Sequence, residues 1–230
     1  MIVGDDLHAV ALSLRVAVAA TLLGLPFALL AARALARPPR RRGPGLALLD
    51  AMVNLPLVLP PVATGYVLLL LFGRQGPVGA VLAKAGIVFA FDWTGAALAS
   101  AIMAFPLMVR PIRLAIEAID GEVEEVAKTL GAGRLTRFVR LTVPLSAPGL
   151  VAGAMLGFAK ALGEFGATIT FVSNIPGETQ TLPSAIYGYT QVPDGDANAL
   201  RLTLVAIAIS LSALVASELF ARRVGQRVAE

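Results

Sequence analysis

The sequence predicts an all-α integral membrane protein with five transmembrane helices, N-terminus outside and C-terminus cytoplasmic. Three observations carry that expectation. Hydrophobic residues make up 57% of the 230-residue chain, charged residues only 15%, and mean hydropathy is +0.79. A water-soluble core of this size needs no such excess, so the bilayer is the natural solvent. Five apolar stretches, at about residues 9–32, 46–72, 94–112, 149–172 and 200–220, each reach the ~20 residues that a crossing takes. Finally, the basic residues sort by side. With the N-terminus outside, Arg33, Arg37, Arg40, Arg41, Arg42, Arg110, Arg113, Lys128, Arg134, Arg137, Arg140, Arg222, Arg223 and Arg227 are cytoplasmic. Only Arg15, Arg74, Lys84 and Arg201 lie toward the outside, which is the positive-inside bias. Residues 1–230 therefore read as a single transmembrane domain. The net charge of +4 is expected to meet membrane lipid and no nucleic acid.

The first stretch is expected to stay attached, because Asp5 and Asp6 precede it and its basic flank follows it, unlike a signal peptide. The second contains Leu55-Pro56-Leu57-Val58-Leu59-Pro60-Pro61, a helix breaker at mid-depth. Interrupted backbone survives in a membrane only where protein or a wet cavity satisfies it. Pro56, Pro60 and Pro61 thus mark either a packing kink or the lining of a path. Phe105-Pro106 in the third stretch reads the same way.

Residues 113–148 form a cytoplasmic loop between the third and fourth stretches. Within it, residues 122–130 suit a short helix, with acidic residues in the first turn and Lys128 in the last. Val123, Val126, Ala127 and Leu130 recur at i, i+3, i+4 and i+7 as one apolar stripe. Gly131 is placed to end the helix, residues 135–141 suit a second, basic helix, and Pro144 closes the unit. Patterning alone fits either a docking element for a partner or a helix lying on the headgroups.

The fourth stretch repeats small residues every fourth position: Gly149, Gly153, Gly157 and Ala161. Such a ladder lets another helix approach closely. Lys160 and Glu164, four residues apart, fall near the ladder's face on a continuous helix and are expected to point into protein or water. They read either as a mutually neutralising pair or as part of an anion path. Residues 173–199 form a long connection in which a short helix around 183–189 is expected.

Some chemistry is missing. The lysines are Lys84, Lys128 and Lys160, and none completes a nucleotide-cradling G-x-x-x-x-G-K-[ST] motif. There is no cysteine, and the one histidine, His8, builds no metal site alone. No enzyme activity, cofactor or metal is expected of the chain by itself.

The spacing Glu125-Val126-Ala127, three residues, Gly131, nine residues, Leu141-Thr142-Val143-Pro144 resembles the EAA loop of ABC importer permeases. Three further runs are similar to molybdate ABC transporter permease subunits: residues 54–61, Phe105-Pro106-Leu107-Met108-Val109-Arg110, and GEFGATITFVSNIPGET at 163–179. The last is the most specific. The resemblance implies a type I importer permease fold in the inner membrane. It implies a homodimer of this chain, a cytoplasmic ABC ATPase dimer, and an extracytoplasmic molybdate-binding protein. It also implies that Glu124, Glu125, Ala127, Leu130, Gly131 and Pro144 belong to the ATPase-docking loop, with Glu125 and Ala127 in the helix entering a cleft of the ATPase. Val126 and Val143 depart conservatively from the family pattern, and Gly133 stands where relatives carry a capping serine. Related sulfate or tungstate permeases are the nearest alternative. A self-sufficient secondary transporter would be expected to show inverted repeats, and none is found.

Overall fold

A computed structural model describes residues 4–36 and 43–229, and every regular element among them is helical. Arg37, Arg40, Arg41 and Arg42 lie outside the described residues, as do the side chains of Arg222, Arg223 and Arg227. The order is α1 (Gly4–Leu35), α2 (Pro44–Val58), α3 (Pro61–Phe72), α4 (Gly79–Lys84), α5 (Trp93–Glu117) and α6 (Gly121–Thr129). There follow α7 (Arg134–Arg137), a π-helical turn (Phe138–Thr142), α8 (Val143–Leu145), α9 (Ala147–Leu162), α10 (Gly166–Val172), α11 (Leu182–Thr190) and α12 (Asp196–Ala229). Among the described residues three helices, α1, α5 and the first half of α12, are long and apolar enough to cross a membrane. The number becomes five if each of two bent pairs, α2 with α3 and the segment Arg134–Leu145 with α9, counts as one crossing.

Helices α1, α5 and α9 make the core. Alanines 17, 20, 28 and 32 of α1 meet Ala104, Met108, Val109 and Ile112 of α5 and Ala161 and Leu162 of α9. Small residues on α1 allow this closeness, since apolar lipid offers no hydrophobic drive and contact must come from packing. The glycine ladder faces α5 of the same chain. A Cβ on Gly149 would lie 2.4 Å from Ala115 Cβ. On Gly153 it would lie 2.8 Å from the Met108 carbonyl, and on Gly157 2.5 Å from Met108 Cγ. The descending order of partners makes α9 antiparallel to α5.

The second apolar stretch is interrupted where its prolines sit. Helices α2 and α3 meet at 114° across residues 59 and 60, because Pro60 and Pro61 donate no backbone hydrogen bond and Leu59 is held extended (φ −71°, ψ 140°). Polar contacts fix α2 to the last turns of α5. Arg113 pairs with Asp50 at 3.2 Å, and Arg110 donates to the Asn54 amide oxygen at 3.0 Å.

The expectation of one continuous helix over 149–172 is corrected. α9 stops at Leu162, residues 163–165 are not helical, and α10 starts at Gly166. α10 then runs along α3. A Cβ on Gly166 would be 2.7 Å from Pro61 Cβ, and one on Gly65 2.4 Å from the Ala167 carbonyl oxygen. The expected basic helix over 135–141 is present as a short helix that starts at Arg134 and widens into a π-helical turn over Phe138–Thr142. Gly133 at its N-cap provides no side-chain cap.

The end of the bundle remote from α6 is closed by α11, which covers the span of the expected short helix. Its Leu182 N–H donates to Ser13 Oγ at 2.6 Å, and Tyr189 donates to the buried Asp6 carboxylate, which also pairs with Arg201. The preceding turn is pinned by Thr179, whose hydroxyl donates to the Val172 carbonyl and accepts from Ile175 N–H.

The packing sets up a contrast between two glycines. Gly153→Val presses on backbone that cannot move aside and is expected to cost about 1–3 kcal/mol, read as a fall of several degrees in the melting temperature of the detergent-solubilised protein. Gly163→Ala, whose Cβ would come no closer than 3.8 Å to another group, is expected to leave that temperature within about a degree, as for a substitution of less than ~0.5 kcal/mol.

Candidate functional site

Apart from the glycine ladder, the site residues expected from the sequence fall in two places: the α6 loop and the breaks between α2 and α3 and between α9 and α10. In α6, the Asp120 side chain accepts from Glu122 N–H at 3.0 Å, capping the helix. At the other end Gly131 takes φ +79°, its N–H donates to the Lys128 carbonyl at 3.1 Å, and Ala132 N–H donates to the Ala127 carbonyl at 3.0 Å. This pair of bonds is a Schellman motif. It gives the A-x3-G spacing a local cause: Ala127 is the residue whose carbonyl is recovered, and Gly131 is the left-handed residue that makes recovery possible.

The two glutamates of the loop diverge. Glu124 turns toward the body of the protein, 3.7 Å from both Arg33 of α1 and Arg137 of α7. Arg33 also donates to Thr142 Oγ1 at 2.9 Å and lies over the Phe138 ring, while Arg137 donates to the Ala132 carbonyl. With Glu124 half exposed, each pair is worth only about 0–1 kcal/mol; together they orient α6. Glu125 is exposed and makes no ion pair among the described residues. Beside it, Val126 and Leu130 are 57% and 82% exposed, and Leu135 is 75% exposed. These large apolar side chains form an exposed apolar face around a polar helix. Pro144 lies in α8, just before α9.

At mid-bundle, Glu164 is buried and fully partnered. Its Oε2 accepts from Lys160 Nζ at 2.6 Å, and its Oε1 accepts from Ala167 N–H at 3.0 Å, the first turn of α10. Its backbone carbonyl accepts from Thr168 Oγ1. Lys160, on α9 next to the exposed Ala159, keeps its ammonium partly open. Gly166 brings this break against Pro61, so Pro60, Pro61, Lys160 and Glu164 share one region, with Pro56 one turn back along α2. The N-terminal ends of α3 and α10, each the positive end of its helix, therefore sit together there. The α6 loop lies apart from it.

Sequence patterning does not reveal the partners of Glu124. Arg33 appears only as one of many basic flanks, and its contact with Thr142 joins residues 109 apart. Gly65 and Gly166 are isolated glycines with no periodicity; their one trace is that each follows a proline or a break within a few positions.

Residues 24–228 match the family model described as "Binding-protein-dependent transport system inner membrane component". The chain is 53% identical over 224 residues, 96% of each chain, to the molybdenum transport system permease protein ModB of Escherichia coli K12. It is 48% identical to the ModB of Haemophilus influenzae, over 98% of this chain and 97% of that one. Among solved structures, a chain from a bacterial ABC transporter involved in import of the acidic polysaccharide alginate superposes with a TM-score of 0.72, at 19% identity, over 99% of this chain and 81% of that one. The shared architecture is the type I ABC importer permease fold anticipated from the sequence. An integral membrane protein built on that fold and matched across nearly its whole length, the chain belongs to the family of binding-protein-dependent transport system inner membrane components.

Proposed function

We propose that this chain is the permease subunit of an ABC importer for molybdate, working in the inner membrane as a homodimer. Its partners are a dimeric cytoplasmic ATPase and an extracytoplasmic molybdate-binding protein. The observation that carries this reading is the near full-length likeness to the molybdenum permeases. The exposed face of α6 supports the ATPase contact: Val126 and Leu130 offer apolar area, and the exposed Glu125 offers a charge for a basic residue in the partner's cleft. Hydrolysis belongs to that partner. The chain's part is mechanical, because Glu124, Arg33 and Arg137 tie α6 to α1 and α1 is packed along α5. A push on α6 therefore moves the core as a body.

The reading is tested by reconstituting the complex and measuring ATP- and binding-protein-dependent uptake of labelled molybdate, with sulfate and tungstate as competitors. Molybdate uptake resisted by excess sulfate is expected; preferential sulfate uptake would reassign the substrate, and no oxyanion uptake would end the reading. In the same assay Glu125→Lys loses a charge-assisted contact worth about 1.5–3 kcal/mol, a roughly 10–100-fold weaker ATPase association. Full complex recovery with that variant would remove α6 as the docking element.

The proposed topology has five crossings: α1, the bent α2–α3 pair, α5, the interrupted α9–α10 pair and α12, over one domain of residues 1–230. α1 and α5 run parallel, so the chain must return between them, and α2–α3 spans that return. With no native cysteine, Gly4→Cys is expected to react with an impermeant thiol reagent on intact cells. Gly43→Cys is expected to react only after permeabilisation, and its labelling in intact cells would reverse the orientation.

For Lys160 and Glu164 the favoured role is architectural, since the carboxylate caps α10 as well as pairing with the lysine. Glu164→Ala leaves both Lys160 and Ala167 N–H without an acceptor and is expected to cost about 2–4 kcal/mol, moderated by the lysine's partial exposure. Lys160→Met with Glu164→Gln keeps an acceptor for the cap and is expected to transport molybdate at near the parental rate. An assembled double variant with full ATPase activity and lost uptake would instead assign Lys160 to the anion path.

A further inference from the structure

Two cavities meet at Trp93, the first residue of α5 and the one tryptophan of the chain. One is a groove of about 550 Å³ lined entirely by apolar side chains apart from Thr94. Leu23 and Phe27 of α1, Pro56 of α2, and Ala97 and Phe105 of α5 form its walls. The other, of about 310 Å³, is polar and lies at the end of the bundle remote from α6; His8, Arg15, Asp92 and Glu178 line it. Trp93 belongs to both. A charged chamber and an apolar slot that share a tryptophan wall have the polarity of one amphiphile.

The charges in the chamber define the headgroup. The Arg15 guanidinium lies 3.7 Å from the centroid of the Trp93 ring and makes no ion pair among the described residues. A guanidinium in this setting is a natural partner for a phosphate, which it holds bidentately. Glu178 is exposed and also makes no ion pair among the described residues. Asp92 is already engaged, its Oδ1 accepting from both the N–H and the hydroxyl of Thr94. A headgroup that carries only negative charge would satisfy Arg15 but face the two carboxylates. A zwitterion with a phosphate and a primary ammonium answers both signs, the phosphate at Arg15 and the ammonium donating to Glu178. A quaternary ammonium has no N–H to donate.

We infer that the Arg15–Trp93–Glu178 chamber and the adjoining groove between α1, α2 and α5 form a binding site for a phospholipid with an ethanolamine headgroup, one acyl chain lying in the groove. The apolar walls alone would accept a helix of a second copy equally well. The polar chamber on the other side of Trp93 favours the lipid, because a transmembrane helix brings no phosphate to Arg15.

The single tryptophan supplies the readout. The purified full-length protein in phosphatidylcholine nanodiscs is titrated with phospholipids brominated on the acyl chain and bearing ethanolamine, choline or glycerol headgroups, and quenching of Trp93 fluorescence is followed. The ethanolamine lipid is expected to quench several-fold more than the choline lipid at equal mole fraction. Arg15→Gln and Glu178→Gln are each expected to remove that excess without changing the melting temperature. Should Arg15→Gln fail to fold, the exposed Glu178→Gln carries the test alone. Equal quenching by all three lipids would mean unspecific surrounding lipid and would overturn the site. Stronger quenching by the glycerol lipid would overturn the ethanolamine assignment in favour of recognition by anion charge. Quenching that appears only after the subunits are separated, monitored by crosslinking, would mean that a second copy fills the groove.

Discussion

A bilayer gives an interrupted helix no water with which to satisfy its backbone, and that constraint centres on Glu164. Where α9 stops, the chain starts another helix among buried residues, and the first amides of α10 need an acceptor. Glu164 provides it with one carboxylate oxygen and takes the Lys160 ammonium with the other. Burying a carboxylate without a partner would be prohibitive. The pair and the cap make it tolerable, and the break can persist. The Pro60–Pro61 break answers the same constraint differently, since proline has no amide to satisfy.

The two breaks are coupled by close approach. Gly65 and Gly166 let α3 and α10 touch at backbone distance, so two half-helices begin beside each other. Along α9, Gly149, Gly153 and Gly157 seat α5. The small residues are thus spent on packing within one chain, and the outward surfaces of α1, α3 and α12 carry the large exposed apolar side chains, as a lipid- or subunit-facing surface requires.

The α6 loop separates holding from contact. Glu124 is drawn inward by two arginines, whereas Glu125, one residue on and about 100° around the helix, points away. Held to α1 and α7 on one face and exposed on the other, α6 has the arrangement that the proposed partner would use to pass a displacement into the core. Its fixed ends, the Asp120 cap and the Gly131 Schellman turn, keep a nine-residue helix formed that would be marginal alone.

Much of this was legible in the sequence because it is local. A break within residues 55–61, the helix expected over 122–130 and found at 121–129, and its stop at Gly131 all follow from residues within one or two turns of each other. The resemblance carried by GEFGATITFVSNIPGET at residues 163–179 pointed to the family. The pairing of Lys160 with Glu164 was also readable, though the helix assumed to carry it was not continuous: an apolar, glycine-bearing run looks the same whether or not residues 163–165 leave the helix. What tertiary structure alone decided is non-local. Which helix the glycine ladder seats, that Arg33 reaches Thr142 and Glu124, and that Pro61 meets Gly166 depend on contacts between distant residues. Glycine and arginine carry no periodic mark of their partner; a glycine records only that something comes close, and an arginine only that a charge is available.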